Sequence, residues 1–340
     1  MCILVASLVF SGLAIAAEKT FPPGPPFDSF VVALPDAGKV KPVDKKPDKP
    51  MKIAVIGLEN NPFWVPVREG CQKAAEELAP YGCKVDWIVP AGQTHTADFM
   101  GSAVDAAIVQ EYDAIAVVAG DSGMVNYINR AVEAGIPVAT FNVETTEPNK
   151  RLFFVGADLY LQGRTAGEYM AKLLNGKGKV ATQTGFFSVE GHEARRLGFE
   201  EALKEFGPDI EIVARLETQD QNDVAYGQAQ DFMTAFPDLD GIYVAAGGSA
   251  GTARAVEEQG KSGKIKMIAY DFFDEVMEHV ATGTISGTIG QGPFAQGHDP
   301  AIRLYNYVVG GVVPPAARLF NDMPFVTKEN ISEYWTPPGE

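Results

Sequence analysis

From Met51 onward, short apolar runs alternate with stretches whose apolar positions recur at helical spacing. "KIAVIG", "KVDWIV", "AIAVVA" and "IPVATF" form the first series, and each is followed by a helical pattern of about a dozen residues. "KVATQT", "IEIVARL", "GIYVAA", "KMIAYD" and "ISGTIG" continue it. Strands alternating with helices build parallel sheets covered by helices on both faces. Roughly nine or ten such units exceed one comfortable open sheet. The pattern therefore predicts an α/β protein of two doubly wound lobes. The stretch "RLFFVGADLYLQG", Arg151 to Gly163, is the natural passage from one lobe to the other.

Ahead of this series the texture is different. Residues 18 to 50 carry eight prolines and a run of Lys and Asp, which excludes a long helix or a central strand. An extended linker is expected there, lying on the globule or without fixed structure. The opening "MCILVASLVFSGLAIAAEKT" has no charge before Glu18. Its apolar run is short for a spanning helix, which needs roughly 20 residues. It ends in small residues that a signal peptidase could cut. Residues 1–17 are expected to be an export signal, which places the mature chain in the periplasm.

In doubly wound sheets, ligands sit beyond the carboxyl ends of the strands. The residues just after the strands are therefore the candidates. Asn60, Asn61, Phe63 and Trp64 follow the first strand, and Gly120, Asp121 and Ser122 the third; Asn142, Val143 and Glu144 follow the fourth. In the second series come Phe186, Phe187 and Glu190, with Arg195 on the next helix. Asp220 and Asn222, then Gly247 to Ser249, then Asp271 to Phe273, and last Gln291 complete the set.

Composition narrows the chemistry. The chain has 340 residues, 46% apolar and 21% charged, with 44 acidic against 28 basic residues and a net charge of −16. That length and balance fit a folded protein with a substantial core. So acidic a chain is repelled by phosphate backbones, so no nucleic-acid partner is expected. "IGLENN" lacks the Gly-x-Gly-x-x-Gly turn of a dinucleotide site, and "AAGGSAG" lacks the Lys of a phosphate loop. No Gly-x-Ser-x-Gly elbow is present. His95, His192, His279 and His298 are widely separated without metal spacing, and read as surface or capping residues. No enzyme, cofactor or metal is expected. Cys71 and Cys83 read as free, buried thiols, because their spacing along a helix exceeds disulfide reach.

The candidate set suits a sugar or related polyol. Carboxylates, amides and one Arg can satisfy several hydroxyls, and aromatic rings can cover the apolar faces of a sugar ring. Asn61 would hold the rim, with Phe63 and Trp64 over a face. The alternative is that Phe63 packs in the core and Trp64 staples the start of its helix.

At this point the chain resembles the periplasmic sugar-binding proteins of the ribose/galactose type, the receptors of ABC importers. The resemblance runs over about residues 51 to 325. It rests on "NNPFW", "AGIPVATFN", "FVGADLYLQGRTAGEYM", "EARRLGFEEAL", "IAYDFFDE" and "GTISGTIGQGPFAQG", in that order. It implies two Rossmann-like lobes joined by a three-strand hinge, with the ligand in the interlobe cleft. Residues 51–157 with 292–313 would form the N-terminal lobe, and 158–291 with 314–340 the C-terminal lobe. The passages would fall near Ala157–Asp158, Gln291–Gly292 and Val313–Pro314. Asn61, Phe63, Trp64, Arg195, Asp271 and Gln291 match ligand contacts of the family. Ribose-type members carry Asp-Arg where this chain has Asn142–Val143, so the sugar face is rebuilt here, and Asp121, Glu144 and Asn222 are candidates to supply polar contacts. The resemblance implies a monomeric receptor serving an ABC permease of the inner membrane, or one that signals to a membrane sensor instead.

Overall fold

The computed structural model describes residues 21–339. The expected export signal and Cys2 lie outside them. Two parallel-dominated sheets are formed, one per lobe. The first holds β1 (Phe30–Val31), β2 (Met51–Ile56), β3 (Cys83–Ile88), β4 (Ala114–Val117), β5 (Val138–Asn142), β6 (Phe153–Gly156) and, from the far end of the chain, Arg318–Phe320. The second holds β7 (Lys177–Thr184), β8 (Asp209–Glu217), β9 (Gly241–Val244), β10 (Lys266–Tyr270), β11 (Gly287–Ile289) and Phe325–Val326. The two late strands are β12 and β13. The helices are α1 (Trp64–Leu78), α2 (Ala97–Val109), α3 (Met124–Glu133), α4 (Leu159–Leu173), α5 (Glu190–Phe206), α6 (Asn222–Ala235), α7 (Ser249–Glu258), α8 (Asp274–Thr282) and α9 (Pro293–Gly310).

Strand order is β1-β12-β6-β5-β4-β2-β3 in the first sheet and β13-β11-β10-β9-β7-β8 in the second. Every pairing is parallel except β11 with β13. Central strands such as Ile53–Ile56 and Ala114–Val117 are wholly buried. Helices on both faces explain why these strands read as continuous apolar runs rather than alternating ones. The order reverses around β2 in one sheet and β7 in the other. The crevice beyond the carboxyl ends of those strands is where a doubly wound sheet binds its ligand.

The chain passes between lobes at Gly156–Leu159, at Ile289–Pro293 and between Phe320 and Phe325. The third passage is a correction to the expected one at Val313–Pro314. After α9 the chain first covers the open edge of β6 with β12, so residues 314–320 stay with the first lobe. Asn321 then ties the three passages together. Its N–H donates to Gly156 O at 2.7 Å, and its Nδ2 donates to Gln291 O and Gly292 O.

The proline-rich segment is a strap on the first lobe. β1 extends the sheet beside β12, Leu34 is buried, and Leu34 N–H donates to Phe320 O. Side chains of α9 satisfy its backbone: Asp299 Oδ1 accepts from Gly38 N and Asn306 Oδ1 accepts from Val43 N. A segment too rich in proline to pair as a central strand is held at the sheet edge and by side chains.

Cys71 and Cys83 are free and buried, on α1 and β3 respectively, and burial pushes both thiols up to about 12. Helices α1 and α9 approach through glycines. A Cβ on Gly70 would stand 2.1 Å from Phe294 O, and one on Gly297 would stand 1.8 Å from Val67 O. A methyl group there has no flexible side chain to displace, only backbone. Gly297→Ala is expected to destabilise the first lobe by about 1–3 kcal/mol, read as a lower urea midpoint of its unfolding transition. An unchanged midpoint would mean that the two helices can slide apart freely.

Candidate functional site

The carboxyl ends of the two sheets face each other across a cavity of ≈ 70 Å³. From the first lobe come Asn61, Phe63 and Trp64 after β2, His95 after β3, and Asn142 at the end of β5. From the second come His192 and Arg195 on α5, Asp220 between β8 and α6, Asn222 at the start of α6, Gly247 to Ser249, and Asp271. Gln291 enters from the second passage.

Backbone conformation aims several of these side chains. Asn142 (φ 68°), Asp220 (φ 57°) and Asp271 (φ 75°) each sit in the left-handed region directly beyond the strand series. Asn and Asp tolerate that region better than other side-chain-bearing residues, and strain of this kind clusters at ligand sites.

Arg195 is the hub of the cavity. Its Nε donates to Gln162 Oε1 at 2.9 Å, its Nη1 to Ala245 O at 3.0 Å and its Nη2 to Gln291 Oε1 at 2.9 Å. The guanidinium lies 4.0 Å over the Tyr270 ring, a cation–π contact. Gln291 passes the polarity on: its Nε2 donates to Asp271 Oδ1 at 2.7 Å. Burial pushes the Asp271 carboxyl up to about 6, with Asp220 adding to the rise, against the pull of Arg195 and Gln291. Burial also raises Asp220, whose Oδ1 accepts from Gly247 N at 2.9 Å.

Phe63 and Trp64 are both buried and meet edge to face, centroids 5.3 Å apart. They belong to the first lobe's core and also border the cavity. Asn61 closes its own turn, its Oδ1 accepting from Phe63 N at 3.0 Å. Asn142 Nδ2 donates to Gln296 Oε1, and Asn222 Oδ1 accepts from Gly251 N.

Two expected contacts are spent elsewhere. Asp121 accepts from Ala97 N at the start of α2 and from Gly123 N in its own turn. It works as a helix cap rather than a cleft group. Glu144 lies two residues beyond Asn142, where the chain has already turned outward; it pairs with Arg151 and Arg318 over the Phe27 ring of the strap. Phe187 and Phe272 are not among the cavity residues either.

Two histidines expected at the surface or in caps are cavity residues instead. His95 and His192 are buried, with ring centroids 5.9 Å apart. Burial and the neighbouring His192 hold His95 down at about 4; burial and Arg195 hold His192 at about 3. Their signals were weak but present. His95 follows the second strand, and His192 precedes Arg195 by three positions, on the same helix face. His298 is also buried, on Asp299, while His279 pairs with Glu257 near the surface. Among the described residues, no group of three or more His, Cys, Asp or Glu side chains could hold a metal ion.

The lobes are latched shut at the cleft's edge. Glu190, at the start of α5, accepts from Thr145 Oγ1 (3.0 Å), Thr146 N (2.6 Å) and Thr146 Oγ1 (2.8 Å) of the first lobe. Its own N–H donates to Gly120 O at 3.0 Å.

The profile of the periplasmic binding protein domain matches residues 53–311. The chain belongs to that family. Among curated relatives, the xylose/arabinose-binding protein XylF of Sulfolobus acidocaldarius is 25% identical over 83% of this chain and 72% of its own length. The ribose import binding protein RbsB of Escherichia coli is 26% identical over 70% of this chain and 78% of its own. A solute-binding protein from Burkholderia graminis, solved with D-arabinose, superposes with TM-score 0.78 at 25% identity, covering 86% of this chain and 100% of that one. The glucose-galactose binding protein GanP of Geobacillus stearothermophilus does so with TM-score 0.75 at 26% identity, covering 83% and 99%.

Two tests follow from the site's electrostatics and its latch. A carboxyl whose pKa is raised by folding destabilises the native state once ionised, so its cost grows as pH rises from the usual carboxylate value, roughly 4, through about 6. Asp271→Asn is therefore expected to raise the melting temperature of the ligand-free protein at pH 7.5, with the gain shrinking toward pH 4.5. A gain independent of pH would show that the Asp271 charge carries no such cost. Glu190→Ala removes three side-chain hydrogen bonds that join the two lobes. At about 0.5–1.5 kcal/mol each, small-angle scattering of the ligand-free variant should show a larger radius of gyration than wild type. Identical radii would assign closure to other contacts.

Proposed function

We propose that this protein is an exported receptor that captures a neutral monosaccharide or related polyol between its lobes and delivers it to an ABC permease. The observation that carries this reading is the cavity's charge balance. Among the described residues its one guanidinium is occupied by Gln162, Ala245 and Gln291, while Asp220 and Asp271 each keep one carboxylate oxygen without a hydrogen-bond partner. An anionic ligand would meet two carboxylates and a cation already engaged. A hydroxylated neutral ligand can donate to both carboxylates and also exchange hydrogen bonds with amides and imidazoles.

Size supports the same reading. A cavity of ≈ 70 Å³ is far too small for an oligosaccharide. The relatives named for xylose, arabinose, ribose, glucose and galactose agree with it. A binding role is supported by the carboxylates' engagement in hydrogen bonds, with Gln291 on Asp271 and Gly247 on Asp220. The receptor is taken to act as a monomer that opens and closes about the three passages.

Titration calorimetry with D-ribose, D-xylose, L-arabinose, D-allose, D-glucose and D-galactose tests the proposal, with Trp64 emission as a second readout. At least one sugar should bind tightly. Asp271→Ala should weaken that sugar by two or more decades, since charge-assisted hydrogen bonds contribute about 1.5–3 kcal/mol each, while leaving the circular dichroism intact. Near wild-type affinity in the variant would remove Asp271 from the ligand shell.

A further inference from the structure

We propose that His95 and His192 form an end wall that sets the size limit of the ligand, so that the sugar position facing them must carry no substituent beyond a hydroxyl. The inference rests on the sugar-receptor reading and adds which residues decide its selectivity. The wall is built by both lobes. His95 stands in the loop between β3 and α2, and His192 in the first turn of α5. Their rings meet edge to face, 5.9 Å between centroids at 70°. Trp64 lies 6.3 Å beyond His95, and Phe186 is stacked 6.4 Å behind His192. Four rings thus run in a row from one lobe to the other.

A wall limits size only if it cannot retreat, and these rings are held from behind. His192 Nδ1 accepts from Phe186 N at 3.1 Å, which fixes the ring's rotation and leaves its proton on Nε2. Behind it, Gly185 leaves no room for even a methyl group: a Cβ there would lie 2.5 Å from His192 Cε1. A Cβ on Gly120 would already touch His95 Nδ1, at 3.5 Å. That nitrogen is buried without a hydrogen-bond partner among the described residues, and the ring packs between Trp64 and His192. Two imidazolium rings at this distance would repel, and burial keeps both histidines neutral near neutral pH.

Asp220 belongs to the same corner. The Cβ that would crowd His192 from Gly185 would stand 2.4 Å from Asp220 Oδ1. A ligand hydroxyl held by Asp220 therefore points its O–H bond into the corner that the imidazoles line. An ether in place of that hydroxyl would need space that the two rings occupy.

The experiment measures selectivity rather than affinity alone. The sugar that wild type binds most tightly, chosen from the six above, is compared with each of its mono-O-methyl ethers by titration calorimetry. Wild type, His95→Ala, His192→Ala and Phe273→Ala are tested, Phe273 bordering the cavity with Asp271. Removing the pressure of one methyl group in a pocket changes discrimination by roughly 10–200-fold. Both histidine variants should shift the ratio of one and the same ether to the free sugar by at least about tenfold, and Phe273→Ala should leave that ratio unchanged. Circular-dichroism melts confirm folding, and the two histidine variants test the wall independently. Equal weakening of the free sugar and all ethers in both histidine variants would overturn the wall while leaving the receptor reading standing. A wild-type protein that binds none of the six sugars would overturn the receptor reading, and the wall with it.

Discussion

A guanidinium in a closed cleft organises this molecule. Taking Arg195 out of water is costly unless its donors are satisfied, and the fold meets that demand from three directions: Gln162 on α4, the carbonyl of Ala245 after β9, and Gln291 at a passage between lobes. Tyr270 supplies a ring face beneath. Because Gln291 also donates to Asp271, the charge, the hinge and the carboxylate share one hydrogen-bond network. The site is consequently rigid where it meets the hinge and open in valence where it faces the ligand.

The same economy governs closure. Asn321 holds all three passages through backbone carbonyls, one tied point about which the proposed closure would pivot. The strap pairs with β12 immediately before that point. Far from the pivot, Glu190 holds the opposite lobe through two threonines and a backbone carbonyl. Hydrogen bonds at the rim favour the closed form without entering the cavity, so the ligand shell and the latch are separate contributions to the closed state.

Within the cavity, two carboxylates and two neutral imidazoles balance one cation that is already engaged. Burial favours the uncharged form of each titratable group: it raises Asp220 and Asp271 and lowers His95 and His192. The chemistry offered to a ligand is that of hydrogen-bond acceptors, amides and ring faces, the requirements of a polyhydroxylated ring.

The apolar runs from Met51 to Gly290 specified the α/β class and the two lobes, because strands buried on both faces must be continuously apolar. Asn61, Trp64, Arg195, Asp271 and Gln291 could be placed at the cleft because position after a strand is a property of the chain in order. Tertiary structure alone decided the rest. Asp121 and Glu144 also follow strands, yet the local backbone N–H groups of α2 and the guanidinium groups of Arg151 and Arg318 claim them. His95 and His192 are remote in the chain and adjacent in space, and nothing in either neighbourhood indicates the other. The third passage moved because the edge of β6 needed a partner strand. Periodicity and order along the chain are written locally, whereas the partner of a side chain depends on which distant element arrives beside it.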